Sequence, residues 1–468
     1  MTAWRTVHIR YGRDSLAVRV PSESEVFEPS FPTPDRPPEE LVTAALRQPV
    51  AGSSLGLSAA ERAPGRVVIV VSDVTRPIPY QRMLPALLSE LRMAGVPDDE
   101  VLILIATGLH RATTASEKEQ MFGRAVLGSY RIVDHDAQDP ASLRDVGISR
   151  IDGSRVHLDR QYVEAGFRIV TGLVEPHFMA GFSGGDKSIC PGLCDLDSVR
   201  RFHGAELLAD PHATAGNIHR NPVFGEATSV ASAVPPHFSV QVVLNAARDV
   251  VAVFAGEPRR AHEKARALVL RYSCTPVHEE LDAILTSCGG YPLDATFYQC
   301  VKGIVSCLPA VRRNGTVISA GRCSEGIGSE AYRRLMKEYG GDWRRFLSDI
   351  RMHGLFAKDQ WQFQMHCRAL EKLGAEGIRF YTEGLGKRLP PWLCVSGHSV
   401  PNDALRQALQ TAVTDLAGRG QRIGVFPEGP YCVPVAPMPS AALEPDPRLG
   451  HFLGDVRPRR WSALPEVE

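Results

Sequence analysis

Six consecutive residues, Arg66 to Val71, read RVVIVV. A β-branched run of this kind is stiff at χ1 and suits a strand better than a helix. It shows no polar alternation, so both faces of the strand must be covered, as in a buried parallel sheet. The next stretch supplies a cover: Leu84, Leu87, Leu88 and Leu91 share one helical face around Pro85–Ala94, and Gly95 ends the helix. Val101 to Ile105 is a second apolar run, and Thr114 with Glu117 forms a capping box for the helix that follows. Tyr130–Val133, Arg168–Val170, Val240–Leu244 and Val250–Phe254 continue the pattern. Strands alternating with helices predict an α/β layer fold with a mostly parallel sheet.

Before this unit, Thr6–Tyr11 and Leu16–Val20 read as strand, turn and strand, and residues 22–39 as an extended connector rich in Pro, Ser and Glu. A helix over Arg259–Leu270 closes the unit. A new strand at Leu281–Thr286, a helix from Tyr298, a strand at Gly315–Ala320 and helices to about Leu373 make a second one. The expectation is two α/β domains, 1–275 and 276–435, with a cofactor and substrate cleft between them and an irregular tail over 436–468.

Composition narrows the function. The 468 residues are 44% hydrophobic and 23% charged, enough for a sizeable core. Lys+Arg 53 against Asp+Glu 53 leaves no net charge, and aromatics are 7%, which argues against a globally basic nucleic-acid binder or a base-stacking platform. No run of eighteen apolar residues exists, so no membrane span is expected. Ten scattered cysteines, none before Cys190, do not make a disulfide framework. Met1–Val20 lacks a signal-peptide core, so a cytoplasmic protein with reduced thiols is expected.

In open α/β sheets, ligands bind beyond the carboxyl ends of the strands. Three chemically rich strings fall there: SDVTRP (Ser72–Pro77), ATGLHR (Ala106–Arg111) and TGLVEPH (Thr171–His177). Asp73 and Arg76 read either as a turn salt bridge or as an arginine fork for a carboxylate, with Asp73 orienting a neighbour. His110 and His177 occupy analogous strand ends and could exchange acid and base roles across a substrate, since an imidazole can titrate near neutral pH.

The string GFSGGDKSICPG (Gly181–Gly192) can turn the N–H groups of Ser183, Gly184 and Gly185 toward an anion and carries Lys187. Asp186 separates Gly185 from Lys187, so it is not a Walker loop. It reads as a tight turn, a phosphate site or a setting for a reactive amine. Cys190, Cys194 and His203 do not have the spacing of a zinc knuckle. Gln299 and Lys302 share a helical face, either as surface or as a polar clamp lent by the second domain.

Taken in order, SDVTRP, ATGLHR, EPHFMAGFSGGDKSICPG, the RRFHG around His203 and DATFYQCVKG resemble the nickel-dependent lactate racemase family, from about residue 60 to Pro430. The resemblance implies a nickel-pincer nucleotide, nickel held by a pyridinium-3,5-bisthiocarboxylic acid mononucleotide, joined covalently through Lys187. It matches His203 to the protein ligand of nickel and His110 and His177 to the acid/base pair. Asp73, Arg76, Tyr298, Gln299 and Lys302 match substrate and cofactor contacts, and Trp361 in KDQWQ matches a tryptophan near the cleft. An anion nest at Ser183, Gly184 and Gly185 would suit the mononucleotide phosphate. The implied activity is inversion of C2 of a 2-hydroxy acid, with cofactor-biosynthesis enzymes as partners. Two alternatives stay open: a non-catalytic member that binds or carries the cofactor, and a metal-independent phosphate-binding enzyme on the same loops.

Overall fold

The computed structural model describes residues 3–352 and 357–435. The RVVIVV run becomes the strand Val67–Ser72, an interior strand of a six-stranded sheet. Val101–Ala106 and Phe167–Leu173 flank it, both parallel. Arg131–Asp134 continues the sheet on one side, Phe238–Leu244 and Val250–Gly256 on the other, and only the last runs antiparallel. Both faces of the central strand are covered, as its composition demands. Val67, Ile69 and Val71 share a core with Leu84, Leu87, Leu88 and Leu91 of the helix Tyr80–Met93. Val68 and Val70 face a different core that contains Ile189, Leu193 and Phe202.

The second six-stranded sheet is parallel throughout. Its order is Ser396–Ser399, Ile378–Thr382, Val311–Ala320, Leu281–Ser287, Ile423–Phe426 and Glu25–Val26. Its inner residues Ile284 and Val317 belong to the same core as Val68 and Val70, so one apolar interior runs between the sheets. Met1–Ala436 accordingly forms one compact unit. The expected irregular tail over 436–468 lies outside the described residues.

The N-terminal residues sit elsewhere than the sequence reading places them. The hairpin Trp4–Tyr11 and Asp14–Pro21 buries Ile9, Leu16, Val18 and Val20 against Leu285, Ile318 and Val425, with Leu405 and Leu409 of the helix Asn402–Gly418. Glu25–Val26, inside the expected connector, adds a strand beside Ile423–Phe426. A two-stranded hairpin is marginal by itself and needs an apolar surface to cover. The second sheet offers that surface. Two residues carry no periodicity, so Glu25–Val26 could not be read as a strand.

Parallel neighbours deliver their carboxyl ends to one edge, which brings the loops after Ser72, Ala106 and Leu173 together. All ten cysteines are free thiols. Among the described residues no helix is long and apolar enough to cross a membrane.

The capping box is present. Thr114 Oγ1 accepts the Glu117 N–H at 3.2 Å, and Glu117 Oε2 accepts the Thr114 N–H at 2.8 Å. Thr114→Ala removes one cap of a surface helix, so urea unfolding should show a loss of about 1 kcal/mol. An unchanged midpoint would mean that the helix is held by packing alone.

Candidate active site

Asp73 follows the central strand and is 6% exposed. Its Oδ2 lies 2.5 Å from His110 Nδ1, while Thr75 donates to Oδ1 from its N–H at 3.2 Å and its hydroxyl at 2.5 Å. Burial by itself would raise this carboxyl. The His110 hydrogen bond and charge, Thr75 and the Arg76 guanidinium outweigh it and hold the group below the usual carboxylate range. An ionised Asp73 keeps a proton on His110 Nδ1, which leaves Nε2 as a proton acceptor. Arg76 Nη1 stands 3.9 Å from Glu175 Oε1.

His177 is oriented in the opposite sense. It sits in a short strand paired with Gly181–Phe182. Its Nδ1 accepts the main-chain N–H groups of Met179 at 3.4 Å and Ala180 at 3.2 Å. That arrangement selects the tautomer with hydrogen on Nε2. Burial, followed by the charges of Lys187, Arg76, Lys302 and His203, pushes its pKa well below the ordinary imidazole value, so it is uncharged at neutral pH.

The glycine loop is shaped for packing. Gly184 and Gly185 have φ of +72° and +54°, and an added Cβ would lie 2.5 Å from Gln241 Oε1 and from His262 Nδ1 respectively. Gly185 donates its N–H to Gln241 Oε1 at 3.0 Å, and His262 Nε2 donates to Ser183 O at 3.0 Å. Ser183 donates its N–H to Glu175 O at 3.0 Å and its hydroxyl to Leu173 O at 2.7 Å. The N–H groups of Ser183 and Gly185 are therefore engaged within the protein, so the open anion nest expected there is corrected to a clamped turn. The sequence reading missed Gln241 and His262. A glutamine in the otherwise apolar strand FSVQVVL was the available signal for the first.

That turn holds Lys187. Its Nζ lies 4.8 Å from the centroid of the Phe202 ring. Burial, with help from the charges of Arg76 and Lys302 and against Cys190, lowers its pKa from 10.5 to about 7. Lys302 also falls to about 7, through burial and Arg76 with Glu175 opposing, and its Nζ is 5.5 Å from the Phe178 ring centroid.

His203 caps the helix Leu196–Phe202. Its Nδ1 donates to Val199 O at 3.0 Å, and its ring stacks on Trp361 at 4.5 Å between centroids. Burial and the Lys187 charge lower its pKa to about 3. A neutral imidazole with Nδ1 committed to a carbonyl presents the Nε2 lone pair, as metal-ligating histidines do. Among the described residues no three His, Cys, Asp or Glu side chains gather as a metal cage. A metal here would need most of its donors from a cofactor. A buried amine of lowered pKa and a single imidazole with Nδ1 committed to a carbonyl fit a covalently attached, self-chelating group.

From the second sheet, the helix Phe297–Ser306 carries Tyr298, Gln299 and Lys302. Tyr298 Oη accepts the Trp361 indole N–H at 2.9 Å, and burial and the Asp359 charge raise its pKa. Gln299 Oε1 is buried without a hydrogen-bond partner, an acceptor ready for a ligand. A cleft of about 560 Å³ opens between Asp73 and His110 on one side and Thr296, Tyr298 and Asp359 on the other. His177, Lys187 and His203 are not part of its lining. They are linked to it through charge, since His110 acts on His203 and Lys187 on His177.

This is an α/β fold in which two histidines of opposite tautomer and a buried lysine follow strands of the first sheet. Residues 11–216 match the family model described as lactate racemase N-terminal domain, and residues 277–432 the lactate racemase C-terminal domain. A lactate racemase of Thermoanaerobacterium thermosaccharolyticum is 33% identical over 373 residues, 78% of this chain and 85% of that protein. One from Lactiplantibacillus plantarum is 29% identical over 395 residues, 84% and 89% of the two chains. The solved lactate racemase apoprotein of T. thermosaccharolyticum superposes with a TM-score of 0.82 at 28% identity, covering 92% of this chain and all of that one. A structure from Thermotoga maritima, 18% identical with a TM-score of 0.62 and covering 85% of this chain and 98% of its own, shares the fold. The chain belongs to the lactate racemase family, and it is an isomerase of the racemase class.

The depressed Lys187 amine can be tested without any cofactor. Acetic anhydride reacts with neutral amines and does not itself titrate, so trace acetylation of the Lys187 peptide, followed by mass spectrometry, should rise with pH around a midpoint of about 7. Surface lysines should react only toward pH 10. A Lys187 profile that follows theirs would remove the argument for a reactive amine.

Proposed function

We propose that this chain inverts C2 of a 2-hydroxy acid, lactate first among them, with a nickel-pincer nucleotide joined to Lys187 and ligated by His203. The observation that carries this reading is the buried Lys187 amine, held near pKa 7, in charge contact with a His203 whose Nδ1 is already committed. When bound, the cofactor would supply a hydride acceptor, chemistry that no side chain provides.

The protein's own groups do the rest. Arg76 and Lys302 hold the substrate carboxylate, and Lys302 gains its proton as the anion arrives. Gln299 Oε1 accepts a substrate hydrogen bond. His110 Nε2 takes the hydroxyl proton, and Asp73 stabilises the resulting imidazolium. His177 stands in the resting state as a donor through Nε2 and forms the other half of the acid/base pair. Tyr298 and Trp361, tied by their hydrogen bond, wall the site. Ser183, Gly184 and Gly185 hold the Lys187 turn against Gln241 and His262. With the division near residue 276 and residues 4–26 lent to the second lobe, Arg76, His110 and His177 come from the first lobe and Tyr298, Gln299 and Lys302 from the second. We place the protein in the cytoplasm, where enzymes that build the cofactor are its partners.

The test is co-production with cofactor-building enzymes, then chiral chromatography of L-lactate incubations, nickel content and the mass of the Lys187 peptide. We expect a D/L mixture, nickel and a Lys187 adduct. An unmodified Lys187 beside a racemase loaded in parallel would overturn the reading, and an adduct without turnover of any 2-hydroxy acid would favour a cofactor carrier. His110→Gln and His177→Gln should each lower kcat by ~10²–10⁴ with the adduct retained, the usual contribution of a positioned acid or base. Full activity in both would refute the acid/base assignment.

A further inference from the structure

The helix Gln360–Leu373 turns Trp361, Gln364 and Arg368 to one side, three and then four residues apart. All three touch the stretch that follows Phe202. Trp361 stacks on His203. Gln364 Nε2 donates to Ala205 O at 2.6 Å. Arg368 Nη1 donates to Ala213 O at 2.8 Å, and Nη2 to Leu208 O at 2.6 Å and to Asp210 O. We propose that Gln364 and Arg368 are positioning residues for His203: the second lobe grips the backbone beyond this histidine and thereby aims its Nε2 into the site.

His203 lies at the break between two short helices, Leu196–Phe202 and Ala205–Ala209. Helices this short have little stability of their own. Leu208 and Asp210 lie at the C-terminal end of the second, where carbonyls lack intrahelical partners. Arg368 closes that end with a cation, the favourable sign for the helix dipole. The arrangement is a poor way to add stability alone. Burial lowers the Arg368 pKa, so desolvation works against the charge, and the hydrogen bonds it makes go to the main-chain carbonyls of Leu208, Asp210 and Ala213. It does fix the path of residues 208–213, while Gln364 fixes Ala205, two residues beyond the histidine. The inference rests on the reading of His203 as a metal ligand, but its geometric part does not.

The experiment uses the full chain in two states. In the apoprotein, ¹⁵N–¹H correlation of the imidazoles, with His203 assigned from a His203→Gln variant, should show one tautomer, protonated on Nδ1. Arg368→Met and Gln364→Met should mix the tautomers. In protein loaded by cofactor-building enzymes, the same variants should keep the Lys187 adduct but bind nickel ~10–100-fold more weakly, as losses of outer-shell support do. Arg368→Lys should recover part of both. A lowered melting temperature with an unchanged His203 tautomer and unchanged nickel would overturn the proposal and leave a plain structural staple. Should Arg368→Met fail to fold, Gln364→Met decides by the same two readouts. If loaded wild type carries the adduct but no nickel, the ligand reading of His203 falls. The tautomer comparison then decides positioning alone, and unmixed tautomers would sink it.

Discussion

The site depends on strands that are covered on both faces. Because Val67–Ser72 is apolar on each side, it must sit inside a parallel sheet, and its parallel neighbours end at the same edge. Asp73 and His110 meet because two of those ends meet, and His177 follows the third. The core containing Val68 and Val70 also contains Ile284 and Val317 of the second sheet and Phe363 of the helix Gln360–Leu373, so the two lobes share an interior. That shared interior sets the helices Phe297–Ser306 and Gln360–Leu373 against loops of the first sheet.

Burial then controls protonation. Lys187, Lys302, His177 and His203 all shift toward the neutral form, with desolvation the largest cause in each and neighbouring cations adding to it. Asp73 is the exception, because direct hydrogen bonds keep it ionised in spite of burial. The result is a buried amine of lowered pKa, an imidazole whose Nδ1 is committed to a carbonyl, and two histidines whose hydrogen bonds select opposite tautomers. Each comes from an ordinary side chain placed where water is scarce.

Of the readings open for the glycine loop, its hydrogen bonds favour a tight turn. Its glycines pointed to a cradle for phosphate. In the structure they let the backbone approach Gln241 and His262, two residues far along the chain that hold the turn bearing Lys187. Phosphate binding by the N–H groups of Ser183 and Gly185 would require their hydrogen bonds to Glu175 O and Gln241 Oε1 to break.

Local pattern was enough for the α/β class, the capping box at Thr114 and Glu117, and the order of strands and helices through the first sheet. These rest on periodicity and end signals that a few neighbouring residues carry. The strings around Asp73, His110, His177, Lys187, His203 and Tyr298 were likewise legible, because reactive side chains cluster beside the glycines and prolines of strand ends. What the chain's linear order could not contain was pairing between distant segments. Glu25–Val26 is a strand only because Ile423–Phe426 lies beside it. The hairpin covers the second sheet because its apolar face finds Leu285 and Ile318 there. The tautomers of His110 and His177, the near-neutral pKa of Lys187 and the grip of Arg368 on the turn after His203 all depend on partners and burial that exist only once the chain has folded.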